Sequence, residues 1–335
     1  MRRAIAQRIF RGRIRLGDGL ALEPILAEDL KQARRRFPRP KFFIFGHARS
    51  GTSFLARLVR QHPDVHCDWQ TQFFSERGPI PYFTSPSFRR WLRHPSNRWA
   101  QGWDPTAALL RVSCDTILER EAEKAGKRVV GDKSPNENGA QAIRWLAAVY
   151  PDAHLLYIVR DGRDTVLSKR VQAFIDQPQT LGWADRRVRQ AFIQEPQPFI
   201  ERRRSLFTPS WLEAAAKSWA HNVEGSVAAG RELFGDRFAL VRYEALLAEP
   251  YRSLTGLWTF LGVGPGNAAL EAEVEKETRS NPEADWHGSS AFAFVQLLPR
   301  GVHGGWRDLY TTADAQLFER AAGNTLRHFD YLRPS

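Results

Sequence analysis

The sequence predicts an α/β fold, a central parallel β-sheet with helices on both of its faces. Three observations carry that expectation. Short strand-like runs, mostly apolar, recur at 42–45, 128–130, 153–159 and 238–241, separated by stretches with apolar residues at helical spacing. The first run stops at Gly46, and Gly51 then precedes a helix-like segment with Leu55, Leu58 and Val59. With 335 residues, 42% of them hydrophobic, the chain can bury a large core against such a sheet.

Each element is set by local pattern. Glu23 to Arg35 has helical character and ends at Pro38 and Pro40, which deliver an extended chain into the first strand. Phe42 to Phe45 is uniformly apolar, as a strand covered on both faces should be. His62-Pro-Asp64 is a turn, and Val65 to Cys67 is a short candidate for a second strand. Residues 68–104 mix Trp69, Phe73, Tyr82, Trp91 and Trp103 with prolines, so an irregular insertion with short helices is expected there. It would serve as a substrate lid or pocket wall, or as an aromatic-pinned loop packed on the core. Pro105 to Lys124 reads as a helix, and 128–130 as a short strand ending at Gly131, which places Lys133 beyond a strand's end. After a helix at 141–150, residues 153–159 form the clearest buried strand, with Arg160-Asp-Gly-Arg-Asp164 directly behind it and a helix starting at Thr165. Residues 170–209 are rich in Gln, Pro and Arg and suit an irregular, lid-like cover. Helices are expected at 210–233, 250–261, 267–277 and 313–326, and a strand at 238–241 running into Arg242-Tyr-Glu244. The organisation is thus a basic arm and short helix over 1–38, then a single domain over 39–335.

Composition narrows the class. A formal charge of +12 draws anions, whether nucleic acid, a membrane face, a nucleotide or an acidic acceptor. Cys67 and Cys114 are the only cysteines, which excludes a disulfide framework and a four-cysteine zinc site and makes a reduced, cytoplasmic setting the default. The N-terminus lacks the uninterrupted apolar core of a signal peptide, and no stretch reaches the ~18 apolar residues of a membrane span. Ile5, Ile9 and Phe10 among arginines suit the arm to peripheral contact with an anionic membrane, or to a solvated or partner-docked role.

Gly46 and Gly51 stand at the spacing of a nucleotide P-loop, but Thr52 occupies the position of its lysine. The cation is instead Arg49, two residues before the second glycine. The backbone N–H groups and dipole of a helix start favour a phosphate or sulfate, and Arg49 adds a full charge at the same mouth. An ordinary strand-to-helix turn capped by serine is the alternative. Ligands of open parallel sheets bind outside the carboxyl ends of the strands, so Lys133 and Arg160 fall beside Arg49 if their strands are neighbours. No strand ends in an aspartate suited to magnesium, which disfavours metal-assisted phosphoryl transfer.

On these residues the chain resembles sulfotransferases that use 3′-phosphoadenosine-5′-phosphosulfate, over most of residues 41–331. The resemblance implies a P-loop-NTPase-like architecture, the phosphosulfate donor as co-substrate, and no metal. Arg49-Ser-Gly-Thr-Ser-Phe54 is similar to the family's 5′-phosphosulfate loop, with Arg49, Ser50, Gly51, Thr52 and Ser53 holding the donor and Phe54 near the adenine. Tyr157 to Ser168 resembles the 3′-phosphate segment, with Arg160 and Ser168 as its ligands. Arg300-Gly301-x-x-Gly304-x-Trp306 is similar to the C-terminal nucleotide-binding sequence, although Pro299 replaces its first basic residue. Tyr243 matches a position near the nucleotide. Lys133 stands where many relatives place a lysine at the sulfonate.

For each residue a plainer role stays open: a salt bridge from Arg160 to Asp161 or Asp164, a helix-interior Ser168, a core Tyr243, a surface Lys133. The bases familiar in relatives are missing, since Pro135 and Gln70 occupy their positions. Asp68 is the first candidate, with Glu76, Asp132 and His66 as alternatives. The expected reaction moves a sulfonyl group to an acceptor hydroxyl, or in second place an amine. The acceptor is a small molecule, glycan, lipid or peptide, and its identity and the oligomeric state stay open. The rival readings are a P-loop kinase or NTPase and a nucleic-acid-binding protein, although no specific nucleic-acid motif is evident. Arg49→Ala and Arg160→Ala are expected to weaken nucleotide binding, and Gly162→Ala to change it little.

Overall fold

The structure, a computed structural model, describes residues 22–75, 77–98, 102–135, 138–280 and 303–332, with the side chains of residues 68 and 69 outside that description. Five strands form one sheet: β1 Lys41–Gly46, β2 Val65–Trp69, β3 Val129–Pro135, β4 His154–Val159 and β5 Phe238–Arg242. Their order is β2-β3-β1-β4-β5 and every pairing is parallel. β1 is central and buried along its whole length, which is why its sequence is a continuous apolar run.

The period-two alternation of β1 divides the core. Phe43 and Phe45 face one cluster, packed by the helices α3 (Thr106–Lys124), α4 (Ala140–Val149), α5 (Gly162–Asp176), α6 (Trp183–Gln194), α7 (Pro209–Phe234) and α11 (Thr312–His328). Phe42 and Ile44 face a second cluster, packed by α2 (Thr52–Val59), α8 (Tyr243–Ala248), α9 (Pro250–Phe260) and α10 (Ala268–Arg279). Helices therefore cover both faces. α1 (Ala27–Arg36) leads in and is tied down where Trp103 Nε1 donates to Asp29 at 3.0 Å and Arg34 pairs with Asp152 at 2.8 Å.

Several elements depart from the sequence expectation. β2 continues through Trp69 and β3 through Pro135, so Lys133 lies inside a strand, opposite Ile44. α5 starts at Gly162, earlier than Thr165, because Asp161 caps it by accepting from Arg163 N at 2.9 Å. It also runs on to Asp176, and the chain beyond it is pinned: buried Arg170 pairs with Asp185 at 2.6 Å and donates to Leu206 O at 2.8 Å. The insertion after β2 carries short helices at Ile80–Phe83 and Pro86–Leu92.

α3 holds its ionic side chains inward. Arg111 pairs with Asp115 and with Asp152, each at 2.7 Å, and its guanidinium lies 4.1 Å from the Tyr150 ring centroid. Tyr150 OH donates to Asp115 at 2.8 Å, and Lys41, the first residue of β1, pairs with Glu119 at 2.7 Å. Removing one member would strand a buried charge at a cost of roughly 3–5 kcal/mol.

Candidate functional site

The carboxyl ends of β1, β3 and β4 are level, with Gly46 opposite both Pro135 and Ile158. That register brings the loop after β1, the end of β3 and the start of α5 to one rim of the sheet, where the strand order switches sides. Two residues of the loop after β1 take the left-handed backbone region, Arg49 at φ 73° and Gly51 at φ 95°. For an arginine that conformation is strained, and such strain is characteristic of functional loops. Gly51 is required for a second reason, since a Cβ there would meet the Tyr243 ring at 2.5 Å. Gly51 is also the N-cap of α2, and no side chain caps that helix start. Ser50 is buried, and its Oγ has no hydrogen-bond partner among the described residues.

Three cations converge on this loop. Arg49 Nε donates to Ser168 Oγ at 3.1 Å, joining the loop to α5. Arg160, at the end of β4, donates to the Arg49 carbonyl at 3.4 Å and lies 4.5 Å from the centroid of the Tyr243 ring. Lys133 Nζ donates to Ser53 Oγ at 3.0 Å and to the Gln70 side-chain oxygen. Phe54 packs edge-on to Tyr243 at 5.9 Å between centroids. Arg49, Ser50, Gly51, Thr52, Ser53, Phe54, Lys133, Arg160, Ser168 and Tyr243 are thus brought together. Arg300, Gly301, Glu76 and the side chain of Asp68 lie outside the described residues.

The acids beside Arg160 have partners of their own. Asp161 pairs with Arg163 at 2.7 Å, and Asp164 accepts from Gly304 N at 2.6 Å and Trp306 N at 2.9 Å. Asp164 therefore fastens the C-terminal segment to the first turn of α5, a role with no sequence signal because its partners are main-chain groups more than a hundred residues away. Burial pushes its carboxyl pKa up, against the Arg160 charge and those N–H bonds, which favour the ionised form. Glu244 braces the same corner: it accepts from Asp161 N and from Tyr331 OH, both at 3.0 Å.

Among the base candidates, Asp132 is fully buried. Its carboxylate accepts from Thr71 N at 2.9 Å and Ser134 Oγ at 3.0 Å, which holds the loop behind β2. Burial raises its pKa, opposed by those bonds. His66 is buried within β2.

A parallel sheet whose central strand ends in a left-handed, glycine-bracketed loop ringed by cations defines an α/β protein of the P-loop-like type, with a loop suited to an anion. The family model described as sulfotransferase family matches residues 40–264, more than half of the chain, and the protein belongs to that family. Curated relatives include a protein-tyrosine sulfotransferase of Drosophila melanogaster, 24% identical over 70% of this chain and 40% of the relative. Nodulation protein NoeE of Sinorhizobium fredii is 23% identical over 70% of this chain and 53% of the relative. The chain spans about half the length of these relatives. Among solved structures, the sulfotransferase domain of the Synechococcus olefin synthase aligns at TM-score 0.49 and 18% identity, covering 88% of this chain and 96% of that one. Mouse sulfotransferase SULT7A1, solved with PAP, aligns at TM-score 0.47 and 16% identity over 91% of each chain.

Proposed function

We propose that the protein transfers a sulfonyl group from 3′-phosphoadenosine-5′-phosphosulfate to a hydroxyl of an acceptor, or in second place an amine, and releases adenosine 3′,5′-bisphosphate without a metal. The observation that carries this reading is the meeting of Arg49, Ser168 and Arg160 at one rim, which joins the two anion-binding motifs into one cradle. The uncapped start of α2 and the buried, unpartnered Ser50 hydroxyl fit an anionic ligand.

Within this reading, the N–H groups of Ser50 to Ser53 and Arg49 hold the phosphosulfate. Arg160, Ser168 and the Arg300-Gly301 segment hold the 3′-phosphate, and Phe54 and Tyr243 border the base. The donor supplies an activated sulfonyl group whose leaving phosphate gains charge as the S–O bond breaks. Arg49 stabilises that charge, and Lys133, fixed by Ser53 and Gln70, steadies the transferring group. Asp68 is the first candidate to take the acceptor's proton, ahead of Glu76, Asp132 and His66. The relatives' names keep a peptide acceptor beside small-molecule, glycan and lipid classes. We read residues 39–335 as one catalytic domain in a cytoplasmic setting, with the basic arm available for peripheral membrane contact.

Calorimetric titration tests the reading. Adenosine 3′,5′-bisphosphate should bind without added metal and more tightly than ATP, and Arg49→Ala and Arg160→Ala should each weaken it roughly tenfold or more. Preference for ATP with magnesium would favour a kinase or NTPase and overturn the assignment.

A further inference from the structure

Helix α3 is inverted with respect to solvent. Arg111, Asp115 and Glu119 are buried and paired, whereas Leu109, Val112 and Ile117 are 39%, 37% and 45% exposed. The hydroxyls of Ser113 and Thr116, which share that outer face, donate to the helix's own Leu109 and Val112 carbonyls at 2.8 and 2.7 Å. From Leu109 to Ile117 the outer face therefore carries no charge and few polar groups directed at water. A surface helix normally turns its apolar stripe inward, so an outward stripe of two turns calls for a cover.

The segment packed against α3 is rich in cations. The helix Ile80–Phe83 packs against α3, and the segment from 77 to 98 holds Arg77, Arg89, Arg90, Arg93 and Arg98 with no Asp or Glu. Within it Tyr82 and Trp91 are 71% and 49% exposed. Trp91 ends an aromatic ladder, with Phe83 to Phe88 at 5.3 Å and Phe88 to Trp91 at 5.4 Å between centroids, so its ring is anchored as well as exposed. Exposed Arg120 follows the stripe on α3, and beyond it Lys124 pairs with Glu121 at 2.8 Å beside exposed Glu123. An apolar stripe, anchored amphipathic aromatics and an arginine-rich neighbouring segment are the composition of a surface that lies on an anionic bilayer.

We propose that the outer face of α3 and the 77–98 insertion together dock on an anionic lipid bilayer. Charge selects this occupant. A second copy would bring the same arginine-rich segment against itself in a chain of net charge +12. Residues 1–21 are themselves arginine-rich, so they are repelled by that segment and share its affinity for the lipid.

Flotation of the full chain with phosphatidylcholine vesicles, with and without phosphatidylglycerol, tests the proposal. Wild type should bind the anionic vesicles roughly tenfold or more above the neutral ones, less so at high salt. Val112→Glu/Ile117→Glu and, separately, Arg90→Glu/Arg93→Glu should each reduce that binding roughly tenfold while leaving bisphosphate affinity unchanged. The lipid readout is independent of sulfonyl transfer. Absence of wild-type binding, or variants that bind like wild type, would overturn the docking surface. So would loss of binding in Ile5→Glu/Phe10→Glu alone, or a wild-type dimer in sedimentation that Val112→Glu/Ile117→Glu makes monomeric.

Discussion

Arg49 and Ser168 stand 119 positions apart, and the guanidinium Nε of the first donates to the hydroxyl of the second across 3.1 Å. The contact fastens the loop after β1 to the middle of α5, so two segments far apart in the chain share one rim of the sheet. Its consequences can be measured.

Ser168→Ala removes the hydroxyl that orients Arg49. The expected outcome is a loss of roughly fivefold to thirtyfold in affinity for adenosine 3′,5′-bisphosphate, about 1–2 kcal/mol, with the unfolding midpoint little changed. Calorimetry of the variant beside Arg49→Lys, which keeps the charge but loses the planar fork, separates orientation from charge. An unaltered affinity in both would remove this pair from the site.

Gly162→Ala is not the silent change that its loop position implies. A Cβ on Gly162 would stand 2.5 Å from the buried Trp219 ring, so the first turn of α5 or the tryptophan must shift. Destabilisation of about 1–3 kcal/mol is expected, read as a lowered urea midpoint, with weaker bisphosphate binding because Arg160 and Ser168 flank that turn. A variant as stable as wild type would show that the contact yields without cost.

Asp164→Asn should loosen the C-terminal segment while leaving the sheet intact. Hydrogen exchange at the Gly304 and Trp306 amides, which now donate to the carboxylate, should quicken roughly tenfold or more, and bisphosphate affinity should fall with it. Unchanged protection at both amides would mean that other contacts hold the segment.

Asp152 sets a pH dependence. Burial alone would raise its pKa, but hydrogen bonds and charge from Arg111 and Arg34 outweigh it and hold the carboxyl at about 2 against an ordinary 3.8. An acid held below its unfolded value stabilises the fold while ionised. Its contribution is therefore complete above about pH 4 and is lost as pH falls toward 2, on the order of 1–2 kcal/mol after screening. Urea unfolding across that range should show a shallower acid slope in Asp152→Asn than in wild type, and equal slopes would assign the dependence to other carboxylates.

The strands and the family are legible in the residues alone. Phe42 to Phe45 and 155–159 are runs of apolar and aromatic residues, as a doubly covered strand requires, and Gly46 and Gly51 keep the spacing of a P-loop. Arg49 and Arg160 carry a local signal of the same kind, cations beside glycines at strand ends, whereas Ser168 is marked only by the resemblance to the family's 3′-phosphate segment. Folding in three dimensions resolved the rest. Whether Lys133 ends a strand or lies in one depends on its pairing with Ile44, and whether Asp132 is available depends on a loop that folds back to donate Thr71 N. Asp164 gained its role from distant main-chain amides, which leave no trace in side-chain identity. Helix α3 makes the same point, since its helical spacing is plain in the sequence but its ionic residues turn inward because Lys41 and Asp152 wait there to pair with them. Periodicity reports which residues share a face, and only packing settles which face meets water.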